Sequence, residues 1–278
     1  MIGKLFIKNR KGLKMSVIVE TPKPKQHLKE EGRPESKLVK QKGLAFVMHG
    51  LGGFKEQIHI HTFADIFREE GCTVVRFDTT NTLGLGESEG KYEDATITNY
   101  YEDLEDVISW AKSQEWYEEP FWLCGHSLGG ISVLLFAEKY PTKVKGLAPI
   151  STVISGKISL TAPRYQGNNI LEQWKKTGWR IEASKSQPGL VKRLKWSHME
   201  DRLAYDVLPQ AKKLNMPVLM VVGDKDDSTP LQHQKILFEA LPGKKELHII
   251  KDAPHTFVGQ KQLLEIEKIF RTWIKKNK

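Results

Sequence analysis

Short apolar runs alternate along this chain with segments of helical spacing. GLAFVMHG (43–50), CTVVRFD (72–78), FWLCG (121–125), VKGLAPIS (144–151), PVLMVVGD (217–224) and KELHIIK (245–251) read as strands. Between them IHTFADIFREEG (60–71), TITNYYEDLEDVISWAK (96–112), LGGISVLLFAEKY (128–140), LQHQKILFEAL (231–241) and QLLEIEKIFRTWIKK (262–276) carry the apolar spacing of helices. An uninterrupted apolar strand, unlike an alternating one, expects burial on both faces, as in a parallel sheet. Repeated strand-helix units therefore predict an α/β fold with a mostly parallel sheet flanked by helices. Residues 4–8 and 13–20 add two short strands joined by the turn Asn9-Arg10-Lys11-Gly12, and the polar stretch 21–37 reads as a loop.

The rhythm breaks once. About sixty residues, 155–214, separate two of these strands, and they hold three of the seven tryptophans, Trp174, Trp179 and Trp196, among many Lys and Arg. That is too long for a plain loop in a compact domain. The expected organisation is a core of residues 1–154 and 215–278 with residues 155–214 as a small helical cap, or lid, inserted between. The cap tryptophans suit either an apolar or aromatic substrate group or the cap's own core.

The break in FWLCGHSLGGISVLL places Ser127 among Gly125, Gly129 and Gly130. Gly125-His126-Ser127-Leu128-Gly129 fits G-x-S-x-G between a strand and a helix, the context in which that motif marks a nucleophile on a sharp, strained turn. Glycines on either side remove Cβ atoms that would collide there. The backbone N–H of Leu128 and the start of the helix favour negative charge beside Ser127. A simple helix cap is the alternative reading.

A serine hydroxyl needs a base. Of nine histidines, His255 in DAPHTF follows the last strand and is the expected base. His248 falls within that strand, His233 is expected on a helix surface, and His49 is expected to organise backbone. His126 is expected to point away from the serine, and His27, His59, His61 and His198 to lie in loops or the insertion. The carboxylate that orients the base comes from VVGDKDDSTP (221–230). Asp226, three residues after Gly223 and four before Pro230, is the first choice, with Asp227 and Asp224 as competitors. For an oxyanion, HGLGGF (49–54) supplies the N–H of Leu51 beside that of Leu128. The glycines of NTLGLGESEGKY (81–92) lack dinucleotide-binding spacing and read as a loop.

HGLGG, VVRFDTTNTLGLGESEG, GHSLGG, VVGDKDD and APHTF stand in the order found in the α/β-hydrolase superfamily, which the chain resembles from about residue 13 onward. It is most similar there to small bacterial serine esterases of the cinnamoyl (feruloyl) esterase type and to serine aminopeptidase-type hydrolases. The resemblance implies an α/β-hydrolase fold, a helical insertion at the position found here, and ester hydrolysis with no cofactor and no metal. Phenolic esters enter by that resemblance alone. The expected enzyme is a serine carboxylesterase (EC 3.1.1-type) acting through an acyl-enzyme on aromatic or medium-size apolar acyl groups. A peptidase or amidase using the same triad is one alternative; a ligand-binding sensor with little turnover is another. Dehalogenases and epoxide hydrolases place Asp where Ser127 stands.

Composition narrows the remaining classes. No apolar run approaches the roughly 18 residues that span a bilayer, and the N-terminus lacks a secretory pattern. The net charge of +9 gathers in residues 1–42, with twelve Lys and Arg against four Glu, but no nucleic-acid-binding motif accompanies it. Cys72 and Cys124, both in apolar segments, are expected as buried free thiols. The expectation is thus a cytoplasmic protein whose partner is a small-molecule ester, with no nucleic acid and no transmembrane segment; a homodimer is left open.

Overall fold

A computed structural model describes residues 3–22, 41–167, 169–184 and 189–278. The 21–37 loop beyond residue 22, with His27, and half of the Lys and Arg of residues 1–42 lie outside the described residues. The elements run β1 (Lys4–Lys8), β2 (Lys14–Glu20), β3 (Leu44–Met48), α1 (Ile58–Glu69), β4 (Thr73–Phe77), α2 (Ile97–Ala111), β5 (Phe121–His126), α3 (Leu128–Lys139), β6 (Val144–Ile150), α4 (Gly156–Ser159), α5 (Ile170–Thr177), β7 (Trp179–Ala183), β8 (Val191–Lys195), α6 (Ser197–Leu203), β9 (Val218–Gly223), α7 (Leu231–Ala240), β10 (Lys245–Ile250) and α8 (Gln260–Lys276).

Eight strands form one sheet in the order β1-β2-β4-β3-β5-β6-β9-β10. β1–β2 and β2–β4 are antiparallel; every other neighbouring pair is parallel. The expected burial pattern holds: β3, β4, β5 and β9 are buried throughout, while the edge strand β1 is largely exposed. Two apolar layers sandwich the sheet. On one face α1 and α8 bring Phe63, Phe67, Phe270 and Trp273 against Trp122 of β5. On the other, α2 and α3 bury Leu104, Val107, Ile131 and Leu134. At the β1–β2 turn, Asn9 Oδ1 accepts from the N–H groups of Lys11 and Leu13, both at 3.0 Å.

The glycines of the 81–92 loop serve packing. A Cβ on Gly86 would sit 2.8 Å from Asp78 Cγ, and one on Gly90 would sit 2.1 Å from Asn81 Oδ1. Asp78 is buried and accepts from Lys55 Nζ at 2.8 Å and from the N–H of Glu87 at 2.8 Å, which pins this loop to the sheet edge.

The 155–214 insertion departs from the helical expectation. Besides α4, α5 and α6 it contains an antiparallel ribbon, β7–β8, in whose first strand Trp179 and Ile181 alternate with Arg180 and Glu182. Trp174 is buried within the insertion, its Nε1 donating to Leu194 O at 3.1 Å and its ring edge-on to Trp196. Trp179 lies beneath Arg193. The insertion is clamped to the start of α2, where Asp201 Oδ2 accepts from the N–H of Ile97 at 2.8 Å and of Thr98 at 3.1 Å. A carboxylate at this helix terminus satisfies orphan N–H groups and meets the positive end of the helix dipole. Among the described residues no helix is long and apolar enough to cross a membrane.

Candidate active site

Because β3, β5, β6, β9 and β10 are parallel, the loops that follow them leave the same sheet edge, where open α/β sheets place their ligand sites. Leu51 follows β3, Ser127 follows β5, Asp226 follows β9 and His255 follows β10.

Ser127 occupies φ 56°, ψ −112° between β5 and α3, a region a non-glycine residue enters only under strain. Its side chain makes no capping bond to α3, so the helix-cap alternative does not describe it. The neighbouring glycines admit the turn. A Cβ on Gly125 would lie 2.2 Å from Gly129 O, on Gly129 2.6 Å from His49 O, and on Gly130 2.4 Å from Thr152 Oγ1.

His255 Nε2 lies 2.9 Å from Ser127 Oγ, and His255 Nδ1 lies 2.9 Å and 3.1 Å from the two Asp226 carboxylate oxygens. Asp226 is otherwise held by donors. Its Oδ1 accepts from the N–H groups of Ser228 at 2.9 Å and Thr229 at 2.8 Å, and Thr229 Oγ1 is 2.8 Å from Oδ2. Burial by itself would raise the Asp226 pKa. The imidazolium charge and hydrogen bond of His255, with those two N–H groups, outweigh it and hold the carboxyl well below the usual range. An ionised Asp226 only accepts, so the His255 proton sits on Nδ1 and Nε2 is left to accept from the Ser127 hydroxyl.

Of the competing acids, Asp224 is exposed, and Asp227 accepts from Ser228 Oγ at 2.8 Å; neither meets His255. Ser228 and Thr229 are positioning groups that single-sequence reasoning missed, their only signal being their place just after Asp226.

His49 does organise backbone. Its Nδ1–H donates to Gly50 O at 2.8 Å while Nε2 accepts from the N–H of Thr79 at 3.1 Å. Gly50 O also accepts from Tyr100 OH at 3.0 Å and from the N–H of Gly53 at 2.9 Å. Three donors thus hold this carbonyl, fixing the peptide that carries the N–H of Leu51. Among the described residues the N–H groups of Leu51 and Leu128 have no backbone partner, and both residues line the cavity beside Ser127.

Of the other histidines, His126 and His198 lie as expected and His59, His61 and His233 do not. His126 does turn from Ser127; its Nε2–H donates to His255 O at 2.8 Å, and burial, then the nearby His255 charge, push its pKa down to about 3. His59 and His61 are on α1, not in a loop, and His59 is buried against the His126 ring. His233, expected on a helix surface, is buried with Nε2 2.9 Å from Thr161 Oγ1, because α7 packs against the insertion there. His198 lies in the insertion as expected, buried, its Nδ1–H donating to Ala95 O at 2.8 Å. Cys72 and Cys124 are buried free thiols.

A cavity of about 580 Å³ opens over Ser127 and His255, with Arg164, Tyr165, Arg180 and Arg202 of the insertion along its wall. None of the three insertion tryptophans lines it; Trp174 and Trp196 belong to the apolar core, and Trp179 is half-buried under Arg193.

Residues 39–262 match the family described as serine aminopeptidase, S33 (Hydrolase_4). An uncharacterized 31.7 kDa protein of Escherichia coli from the traX-finO intergenic region is 26% identical over 264 residues, covering 84% of this chain and 91% of its own. The palmitoyl-protein thioesterase ABHD10 of Bos taurus, mitochondrial, is 27% identical over 165 residues, 58% of this chain and 49% of its own. Among solved structures, Est1E from Butyrivibrio proteoclasticus with ferulic acid bound superposes with a TM-score of 0.77 at 22% identity, covering 98% of each chain. The fold is the one the sequence motifs imply, and the chain belongs to the serine aminopeptidase, S33, family of α/β-type serine hydrolases.

Proposed function

We propose that this protein is a serine carboxylesterase with Ser127 as nucleophile, His255 as base, Asp226 as its orienting carboxylate and the N–H groups of Leu51 and Leu128 as oxyanion hole. One observation carries the reading: the continuous chain of contacts from Asp226 through His255 to Ser127, each 2.9 Å. Ser127 Oγ bonds to the acyl carbon as its proton passes to His255 Nε2. The carbonyl oxygen becomes an oxyanion, and the C–O bond to the alcohol breaks as that oxygen takes the proton back from Nε2. Water then gives its proton to Nε2 as its oxygen bonds to the acyl carbon, and the bond from that carbon to Ser127 Oγ breaks as Oγ takes the proton from Nε2, releasing the acid. Asp226 keeps Nδ1 protonated and balances the imidazolium in both halves. Residues 155–214 act as the cap, since they wall the cavity above the serine. The cavity has room for a medium-size acyl group, and Tyr92 and Tyr165 offer aromatic surface to one.

The family description favours a second reading, an aminopeptidase. Such an enzyme must hold a substrate ammonium with acidic groups. Here the cap side of the cavity presents three arginines, and its Glu182 is already paired with Arg180 at 2.7 Å, which speaks for esters. The test is turnover of short- to long-chain p-nitrophenyl esters, methyl ferulate, an acyl thioester and an amino-acid anilide by wild type and Ser127→Ala. Ester turnover lost in the variant supports the proposal. Anilide turnover in excess of ester turnover favours the peptidase. Inertness of both proteins on every substrate, with tight ligand binding, makes it a sensor.

A further inference from the structure

The cap wall of the cavity is cationic beyond what its own acids balance. Arg164 and Arg180 hold their guanidinium carbons 5.4 and 5.5 Å from the centroid of the Tyr165 ring. Arg202, only 5% exposed, joins the same wall from α6, its Nε donating to Ser159 Oγ at 2.8 Å. Like charges so close repel, and burying a guanidinium without an acid carries a large desolvation penalty. Only Arg180 is relieved, through Glu182; among the described residues Arg164 and Arg202 have no ion pair. Arg164 donates one Nη1 bond to Ser228 Oγ at 3.0 Å. Two buried nitrogens that lack any partner, Arg164 Nε and His198 Nε2, belong to this same wall.

The strain also reaches Tyr165. Burial would raise its phenol, yet the positive charges of Arg202, Arg164 and Arg180 outweigh burial and lower its pKa. Interior sites that gather guanidinium forks with unfilled donors fit planar or tetrahedral oxyanions, which take two parallel N–H bonds from each fork.

We infer that this wall is an anion subsite, and that the substrate opened at Ser127 carries a carboxylate or phosphate remote from its scissile carbonyl, held by Arg164, Arg180 and Arg202. The inference rests on the esterase reading above. It makes the cap a charge filter: a neutral ester of the same shape leaves the guanidinium cluster unbalanced, whereas an anionic one neutralises it as the site closes to water.

The experiment compares mono-p-nitrophenyl esters of glutarate and suberate with their methyl-capped neutral counterparts and with an ω-phosphonate of suberate length. Wild type is expected to favour the charged esters by about 10- to 100-fold in kcat/KM, chiefly through KM, the range for hydrogen bonds to a charged group. The better of the carboxylate and phosphonate arms names the headgroup. Arg202→Gln and Arg164→Gln should each shrink the charged-to-neutral ratio by about tenfold or more; Arg164, partly exposed, serves where the buried Arg202 variant fails to fold. Equal turnover of charged and neutral esters by wild type, or preference for the neutral ones, overturns the inference while leaving the esterase reading intact. Should no ester turn over, calorimetric titration of Ser127→Ala with suberate and with inorganic phosphate decides the subsite without catalysis. Binding weakened at least tenfold by Arg202→Gln or Arg164→Gln upholds it, and no binding of either anion refutes it.

Discussion

Replacing Asp226 by asparagine separates what its charge does from what its shape does. Four donors surround the carboxylate: the N–H groups of Ser228 and Thr229 on Oδ1, and Thr229 Oγ1 and His255 Nδ1 on Oδ2. The two backbone donors fix the amide oxygen of the new side chain at the Oδ1 position, so its NH₂ replaces Oδ2. Thr229 adapts, since its hydroxyl can give its proton to Ser151 O at 2.9 Å. His255 adapts only by moving its proton from Nδ1 to Nε2. Nε2 then faces Ser127 Oγ as a donor, and no base remains. For a triad in which the histidine is left in the wrong tautomer, the expected loss is about 10⁴-fold in kcat, roughly 5.5 kcal/mol of barrier. The assay is p-nitrophenyl ester turnover from pH 6 to 10, beside circular dichroism to show the fold intact. The variant's thermal stability follows the same charge. Because the folded-state pKa of Asp226 is depressed, its ionised form stabilises the fold above the ordinary carboxylate pKa, and that gain is lost as pH falls toward the folded value. The Tm deficit of Asp226→Asn should therefore be full at pH 7 and shrink below about pH 4. A folded variant retaining more than a tenth of wild-type kcat would refute this argument and return Asp224 and Asp227 as candidates.

Tyr100→Phe removes one of three donors from Gly50 O, so kcat should drop about 2- to 10-fold with KM nearly unchanged, as steady-state kinetics would reveal; a KM effect alone would place Tyr100 in binding. Gly125→Ala drives a Cβ to 2.2 Å from Gly129 O, a backbone atom that cannot step aside. The expected destabilisation is at least about 1–3 kcal/mol, read as a lower urea midpoint, and an unchanged midpoint would contradict it. Glu138, buried on α3, has its pKa pushed up to about 8, chiefly by burial against the opposing pull of Lys213. The folded state keeps a proton that the unfolded state releases, so stability falls as pH rises from 4.5 to about 8. Glu138→Gln should raise Tm at pH 8 and change it little at pH 4.5; scans showing equal shifts at both would disprove the assignment.

The central sheet was legible because its strands are buried on both faces. FWLCG and VLMVV are apolar throughout and TVVRF is apolar but for Thr73 and Arg76, and no amphipathic helix reads that way. The site was legible for a related reason. The turn at Ser127 and the loops of His255 and Asp226 each carry short-range signatures in glycine, proline and strand ends, and the parallel sheet gathers them. The insertion was not legible. WRIEA alternates as a ribbon strand should but VKRLK does not, their Lys and Arg read as solvated surface, and nothing local says that Arg164, Arg180 and Arg202 turn inward. The same limit misplaced His233 and His59, whose burial depends on which elements pack over them. Tryptophans were read as lining a pocket or a core, and contacts such as Trp174 Nε1 to Leu194 O decide for the core.

The separation of Ser127 and His255 by 128 positions, with the base arriving on the last strand to join the sheet, has a consequence for the protein at birth. At ribosomal speeds of about 5–20 residues per second, roughly 6 to 26 seconds pass between making the serine and making its histidine. During that time the nascent chain can form β5 and α3 around a strained serine with no base to activate it. Under the proposed chemistry, the enzyme stays silent through its own synthesis until β10 docks on β9 and delivers His255 to the finished elbow.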